Sequence, residues 1–245
     1  GLQDVVVANH DTDYVTLLFG LPRGRLETRS TSRFRVDISP HPHAVRLGDI
    51  DDDGHVDLLV DDRDSEAIRL YRGLGDGRFF GSTRIAVGGD PYRGMSLVAV
   101  DDDARLDLLT PNPDHVAVLL GDGRGAFRQE ATLPSDFDPF SAVAADLDGD
   151  GLTDVAAGSG EGLGAVAIWF RVAEGRFRYG GRHATAAGPL KLAIAELAGE
   201  GGAEIVVTCY SGNEVAVLGG SGSKLARIEL TGNPYGATTG DFDGD

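Results

Sequence analysis

The sequence predicts an all-β protein: a β-propeller of four-stranded blades, most simply five, forming one domain over residues 1–245. An acidic nine-residue motif recurs at intervals of about 49 residues, and each interval carries four strand-like runs separated by Gly, Asp, Asn or Pro. No segment shows a helical periodicity of useful length. Self-similarity at such a period is typical of repeat architectures, and propellers have about 4–8 blades of four strands each.

The acidic motif is clearest at residues 146–154, which read D-L-D-G-D-G-L-T-D. Carboxylates at alternate positions, a glycine at the sharp turn and a further carboxylate at the ninth position form the ligand pattern of a calcium loop. Carboxylates this close repel one another unless a cation or protons intervene. The predicted ligands are the side chains of Asp146, Asp148, Asp150 and Asp154 and the carbonyl oxygen of Leu152.

Three further copies lie inside the chain. The complete copy at residues 49–57 has the predicted ligands Asp49, Asp51, Asp53, Asp57 and the carbonyl of His55. The copy at residues 99–107 has alanine at its first position and in place of the glycine, but it keeps the ligands Asp101, Asp103 and Asp107. The copy at residues 196–204 lacks the second ligand and uses glutamates, which are long for so tight a turn, so we expect it to hold no ion.

A fifth copy is split across the termini, since the chain ends D-F-D-G-D and begins G-L-Q-D. Its predicted ligands are Asp241, Asp243, Asp245, Asp4 and the carbonyl of Leu2. The N-terminus would then supply three strands of one blade, and the C-terminus would return the innermost strand of that blade around residues 236–240. Such an arrangement closes the ring without a free sheet edge. We expect three to four structural Ca²⁺ ions in total.

The order of these features resembles FG-GAP/VCBS repeats. A proline and an apolar strand precede each acidic loop, an apolar run follows it, and G-D-G-x-F appears at residues 75–79. The resemblance covers essentially the whole chain. Repeats of this family are found in integrin α-subunit propellers and in many secreted bacterial and fungal proteins. It implies a calcium-binding propeller used for adhesion or ligand binding. Some such propellers are lectins, and some belong to polysaccharide lyases. Many have seven blades, so a piece of a larger array is an alternative to five.

A proline opens each unit seven or eight residues before the first metal position. These prolines should mark the end of each blade opposite the calcium loops, and the residues that follow them should surround the mouth of the central channel. Four of those residues carry rings, and we predict that they bind ligand by stacking: His43, Tyr92, Phe140 and Tyr235. The alternative interpretation is that bulky side chains simply plug the channel mouth.

Composition limits the partners. The formal net charge of −17 argues against nucleic acid and anionic membranes, because both repel an acidic surface. A single cysteine excludes a disulfide framework, and no apolar segment is long enough for membrane insertion. Open calcium loops suit the millimolar calcium found outside the cytoplasm, so we expect an extracellular or periplasmic protein.

We therefore expect a secreted calcium-binding module for a glycan or protein ligand, like a lectin or a cell-adhesion domain. The sequence contains no nucleophile elbow, zinc spacing or phosphate loop, so we predict no catalytic residues and no enzyme activity. Two alternatives stay open: a calcium-dependent polysaccharide lyase or hydrolase, and a structural spacer of a larger secreted protein.

Overall fold

The computed structural model describes residues 2–38, 42–101, 103–173, 175–197 and 201–241, without the side chains of Arg63 and Tyr92. In these described residues, twenty β-strands form five four-stranded antiparallel sheets, and each sheet is one blade of a β-propeller. Within the described residues the helical segments are two 3₁₀ turns, Arg63–Ser65 and Pro91–Arg93. Neither turn has the length or hydropathy of a membrane-spanning helix.

Blades 2 to 5 share one plan, in which consecutive strands are hydrogen-bonded neighbours and the first strand of the blade is innermost. Blade 2 contains β5 (Val45–Gly48), β6 (Asp57–Asp62), β7 (Ala67–Gly73) and β8 (Phe79–Ala86). Blade 3 contains β9 (Ser96–Val98), β10 (Asp107–Asn112), β11 (His115–Gly121) and β12 (Phe127–Pro134). Blade 4 contains β13 (Ser141–Ala145), β14 (Asp154–Gly158), β15 (Ala165–Ala173) and β16 (Arg176–Ala184). Blade 5 contains β17 (Pro189–Ala195), β18 (Glu204–Cys209), β19 (Glu214–Leu218) and β20 (Lys224–Glu229).

The core lies between the blades. Successive side chains of a strand point to opposite faces of the sheet, and the second and third strands of blades 2 to 4 are covered on both faces. In β6, Leu58 faces blade 1 and Leu59 faces blade 3, and both are fully buried. In β15, Trp169 faces blade 3 and Phe170 faces blade 5. Consecutive apolar residues therefore occur in these strands, as in the Leu-Leu-Val run of β6.

Blade 1 departs from this plan. It contains β1 (Val5–Ala8), β2 (Tyr14–Leu21), β3 (Arg25–Glu27) and β4 (Arg33–Arg35), and β3 and β4 pair with opposite ends of β2. The innermost strand predicted around residues 236–240 does not form. Two glycines and three small residues give that segment little side-chain surface to pack, and Thr239 Oγ1 donates instead to the Ile194 carbonyl of β17 (2.7 Å).

In the part of the chain that the structure describes, no other blade covers one apolar face of blade 5. On β20, Ile228 is 59% exposed, whereas the residues at the same repeat position in blades 2 and 3, Ile85 and Leu133, are 5% and 3% exposed. Within the described residues, four hydrophobic clusters join consecutive blades and none joins blade 5 to blade 1. Because β1 lacks an inner neighbour, Val5 and Val7 are also partly exposed, at 41% and 39%.

Candidate metal centre

Four of the five acidic loops join the innermost strand of a blade to the second strand. The loops follow β5, β9, β13 and β17, at residues 49–56, 99–106, 146–153 and 196–203. Because blades 2 to 5 have the same strand order, these loops lie at one end of the propeller, and the prolines that precede the innermost strands lie at the other end. This separation was predicted from the prolines and the acidic motif.

The loop at residues 49–57 gathers three of its predicted ligands. Carboxylate oxygens of Asp49, Asp51 and Asp53 lie within 4.8 Å of one another. Backbone amides hold this arrangement: Asp49 accepts from the amides of Asp53 (3.1 Å) and Gly54 (2.9 Å), and Asp53 accepts from the His55 amide (2.8 Å). Gly54 has a φ of 86°, a left-handed conformation that favours glycine, so the sharp turn predicted from the motif forms here.

One oxygen of this cluster has no partner. The Asp51 side chain is only 5% exposed, and its Oδ2 contacts Nη1 of Arg72 from β7. Its Oδ1 is buried and makes no hydrogen bond. A buried carboxylate oxygen without a partner, beside two further carboxylates, fits a hard cation that prefers oxygen ligands. Asp49, Asp51 and Asp53 are therefore the residues that would hold a calcium ion at this loop.

The loop at residues 146–154 gathers a different triad. Oxygens of Asp146, Asp148 and Asp154 lie within 4.8 Å of one another. Asp154 is fully buried, and this burial raises the pKa of its carboxyl to about 6, with a further contribution from the charge of Asp148. A cation would offset both effects. Asp150 stands outside the triad, where its Oδ1 accepts from the Leu152 amide (2.8 Å).

The ninth position of the loop has a structural role that the metal motif did not predict. The two oxygens of Asp154 accept from the amides of Leu147 (3.0 Å) and Arg171 (2.8 Å), which tie the loop to the end of the third strand. Asp57 makes the same bridge to the amides of Ile50 (3.0 Å) and Gly73 (2.8 Å). Burial raises the pKa of Asp57 as well, and these amides oppose that effect.

A signal for this role was present in the chain. All five copies have an acidic residue at the ninth position, including the copy at residues 196–204, which has lost a ligand elsewhere. In that copy Glu204 accepts from the Leu197 amide (2.7 Å), and in the N-terminal copy Asp4 accepts from the Gly20 amide (2.7 Å). A residue retained where the metal motif has decayed indicates a function besides metal binding.

The loop at residues 99–107 does not gather a triad among its described residues. Asp103 forms an ion pair with Arg105 (Oδ2 to Nη1, 3.1 Å), and Asp101 accepts from the Asp103 amide (3.1 Å). Asp107 is the buried bridge, which accepts from the amides of Val100 (2.7 Å) and Gly121 (2.9 Å). Ala104, which replaces the glycine, has a φ of 62°. This copy keeps the shape of a metal loop with a weaker set of ligands.

The split copy is described only in part. Asp243 and Asp245 lie outside the described residues, and Asp241 follows a segment without regular structure. Leu2 and Asp4 line a cleft of about 380 Å³ between blades 1 and 2, together with His55. The carbonyl oxygens of Leu2, His55 and Leu152 stay predicted ligands.

The three predicted ligand-binding residues whose side chains are described pack in separate places. His43 stacks edge-on against the His10 ring at 4.7 Å, Phe140 lies beneath Lys191 Nζ at 5.5 Å, and the Tyr235 ring is 6.1 Å from the Tyr210 ring. Tyr92 lies in the 3₁₀ turn Pro91–Arg93, and its side chain is outside the described part. The ring contacts of the described residues join no two members of this set, and their role in binding stays a prediction.

Solved structures share this fold across very different proteins. A putative 6-phosphogluconolactonase from Bacteroides uniformis superposes with a TM-score of 0.71 at 16% identity, over 95% of this chain and 69% of that one. An Agrocybe aegerita lectin, described as recognising non-reducing terminal N-acetylglucosamine, gives 0.56 at 18% identity, over 94% and 68%. The V. cholerae biofilm matrix protein Bap1 gives 0.58 at 20% identity, over 97% and 37%. At these identities the likeness shows the fold alone.

Residues of two acidic loops lie in a segment that matches a known repeat family. No curated protein matches the chain significantly. Residues 100–157 match the FG-GAP-like repeat, and this segment runs from the loop of blade 3 to the second strand of blade 4. It therefore contains one whole repeat period and the acidic triad of residues 146–154. Residues 100–157 are an FG-GAP-like repeat within a five-bladed β-propeller.

Proposed function

We propose that this chain is a calcium-stabilised propeller that acts as a ligand-binding module outside the cytoplasm. The observation that carries the proposal is the pair of acidic triads, each built on a loop between the two inner strands of a blade. FG-GAP repeats commonly bind calcium, and the donors here are all carboxylates, which suit a hard cation. The metals would be structural, because each loop ties two strands together and bound ions offset local repulsion. We propose three to four ions, including sites at the termini and at residues 99–107.

The proposed ligand is a glycan or a protein. Among the proteins with this fold, one is a lectin described as recognising N-acetylglucosamine and another is described as a biofilm matrix protein. They support a lectin or adhesion function and an extracellular or periplasmic location for this chain. We also propose that the chain is not an enzyme, since its clustered carboxylates are accounted for by the calcium loops.

A calcium titration tests the metal sites. Asp148→Ala should lower the number of bound calcium ions by one and leave the loop at residues 49–57 intact, because the two triads share no residue. Glu161→Ala, which changes an exposed acidic residue outside the loops, is the matched control. EDTA should lower the melting temperature of the wild type, since an ion that binds only the folded state stabilises it. An unchanged calcium stoichiometry in Asp148→Ala, or an unchanged melt in EDTA, would contradict structural calcium.

A glycan array tests the ligand class. We would screen the folded protein in millimolar calcium, with a parallel EDTA arm. Selective binding that EDTA abolishes supports a calcium-dependent lectin, and selective binding that survives EDTA supports a lectin whose site lies away from the metal loops. A blank array from protein with full calcium occupancy rules out the glycans displayed and leaves a protein ligand.

A further inference from the structure

Three basic side chains from three blades line one small cavity near the axis of the propeller. Arg46 belongs to the innermost strand of blade 2, Lys191 to the innermost strand of blade 5, and Arg93 to the turn before the innermost strand of blade 3. The cavity has a volume of about 50 Å³. Three cations around so small a space stand out in a chain whose formal net charge is −17.

Among the described residues, local carboxylates pair with one of these three cations and leave the other two without an ion pair. Arg93 forms an ion pair with Asp138 (Nη2 to Oδ2, 2.6 Å). Among the described residues, none of the carboxylates lies within ion-pair distance of Arg46 or Lys191. Desolvation lowers the pKa of Lys191, and the charge of Arg46 lowers it further. Desolvation also lowers the pKa of Arg46, whose side chain still reaches solvent. Like charges held together in this way favour binding of an anion.

Two buried polar groups in the same cavity lack partners. Arg93 Nε and Ser141 Oγ are buried and make no hydrogen bond, and Ser141 is only 9% exposed. Both residues line the cavity together with Arg46 and Lys191. Buried donors are normally satisfied by protein, water or ligand. A guanidinium, an ammonium and a hydroxyl around one space match the acceptor oxygens of a tetrahedral or planar oxyanion.

We propose that this cavity binds the oxyanion group of an acidic ligand, a carboxylate or a sulfate carried by a saccharide. The cavity volume suits one such group and is too small for a sugar ring, so the rest of the saccharide would lie outside it, on the side of Phe140, which already contacts Lys191. The assignment rests on the proposed ligand-binding function and narrows it to anionic ligands. It uses none of the residues of the calcium loops.

Titration calorimetry at low ionic strength tests the assignment on the calcium-loaded protein. The probes are glucuronate, inorganic sulfate, inorganic phosphate and, as the uncharged reference, glucose. We expect saturable binding of glucuronate and of sulfate, and none of glucose. Lys191→Gln and Arg46→Gln should each weaken binding at least about 10-fold, the effect of losing one charge-assisted contact. Arg25→Gln, which removes an exposed arginine of β3, should leave binding unchanged.

The outcomes separate the possible sites. Binding that is unchanged in folded Lys191→Gln and Arg46→Gln proteins, or lost in Arg25→Gln, would overturn the cavity as the site. Absence of any oxyanion binding would also overturn it. Binding of free sulfate without glucuronate would refute a carboxylated saccharide and support a sulfated one, whereas binding of phosphate without either would overturn the assignment to saccharide carboxylates and sulfates. Calcium stoichiometry measured on the same samples reports on the metal loops separately, so failure of one proposal is distinguishable from failure of the other.

Discussion

At the scale of single residues, comparison of the repeats identifies positions at which one copy of the acidic motif differs from the others. Ala104 occupies the place that glycine holds in the complete copies, and it adopts a φ of 62°. The left-handed conformation costs an L-residue about 1–2 kcal/mol, because its Cβ approaches the following carbonyl oxygen. Glycine avoids this cost but loses more conformational entropy on folding.

We expect Ala104→Gly to stabilise the protein by about 0.5–1 kcal/mol, as the relief of strain exceeds the entropy loss. Denaturant unfolding at fixed calcium concentration measures the change. Ala86→Gly, at an exposed strand position outside the left-handed region, is the control and should destabilise by about the same amount. Equal losses of stability in both variants would show that Ala104 is not strained in solution.

Asp61 is a buried carboxyl outside the metal loops. It lies in β6, is inaccessible to solvent and accepts hydrogen bonds from the amides of His43 (2.8 Å) and Ala44 (2.7 Å). Burial raises its pKa from 3.8 to about 6, with a further contribution from Asp62. His43 Nδ1 lies 3.5 Å from its other oxygen. The folded state thus binds this proton more tightly than the unfolded state does.

The sign of the pH effect follows from the raised pKa. The stabilising contribution of protonated Asp61 is complete below pH 3.8 and is lost as the pH rises through about 6. A shift of about two pKa units corresponds to about 3 kcal/mol. Asp61→Asn keeps the acceptor oxygen without the charge, so the variant should exceed the wild type in stability at pH 8, and its advantage should shrink toward pH 4. Urea titrations at several pH values measure this difference, and a constant difference would refute the raised pKa.

At the scale of the blade, the ninth residue of the loops in blades 2 to 4 accepts hydrogen bonds that join the loop to the third strand. This bridge predicts which carboxylates stabilise the folded protein when no metal is bound. Asp107 joins loop 99–107 to the end of β11 through the amides of Val100 and Gly121. Asp107→Ala should destabilise by about 3 kcal/mol, because two buried amides lose their acceptor. Asp103→Ala removes an exposed carboxylate of the same loop and should cost less than about 1 kcal/mol. Unfolding in EDTA measures both, and equal costs would contradict the bridge.

The blades also show which features of the fold and of the candidate site could be predicted from the sequence. The four strands of each of blades 2 to 5 followed from the four strand-like runs in each interval and from the spacing of the acidic motif, because both reflect local geometry. Which three carboxylates gather in each loop could not be predicted from the sequence, because Asp53 joins the cluster in one loop and the equivalent Asp150 does not. Nor did the packing of His43, Phe140 and Tyr235, since the partner of each ring comes from elsewhere in the chain.

At the scale of the whole molecule, stability should depend on whether a blade has a neighbour. Ile85 and Ile228 occupy the same repeat position on the outer strands of blades 2 and 5, opposite Ile68 and Val215 in register. Blade 3 covers Ile85, whereas in blade 5 Ile228 is 59% exposed. The same side chain at the same place in the repeat therefore reports on two different environments.

Ile85→Ala should destabilise by about 3 kcal/mol, since it removes buried methyl groups and leaves a cavity between blades. Ile228→Ala should change stability by no more than about 0.5 kcal/mol, because water already reaches that side chain. Thermal and denaturant unfolding of the pair, at several protein concentrations, measures both. A large cost for Ile228→Ala would contradict an uncovered face of blade 5. If that cost grew with protein concentration, another copy of the chain would be covering the face, because association stabilises the folded state by mass action.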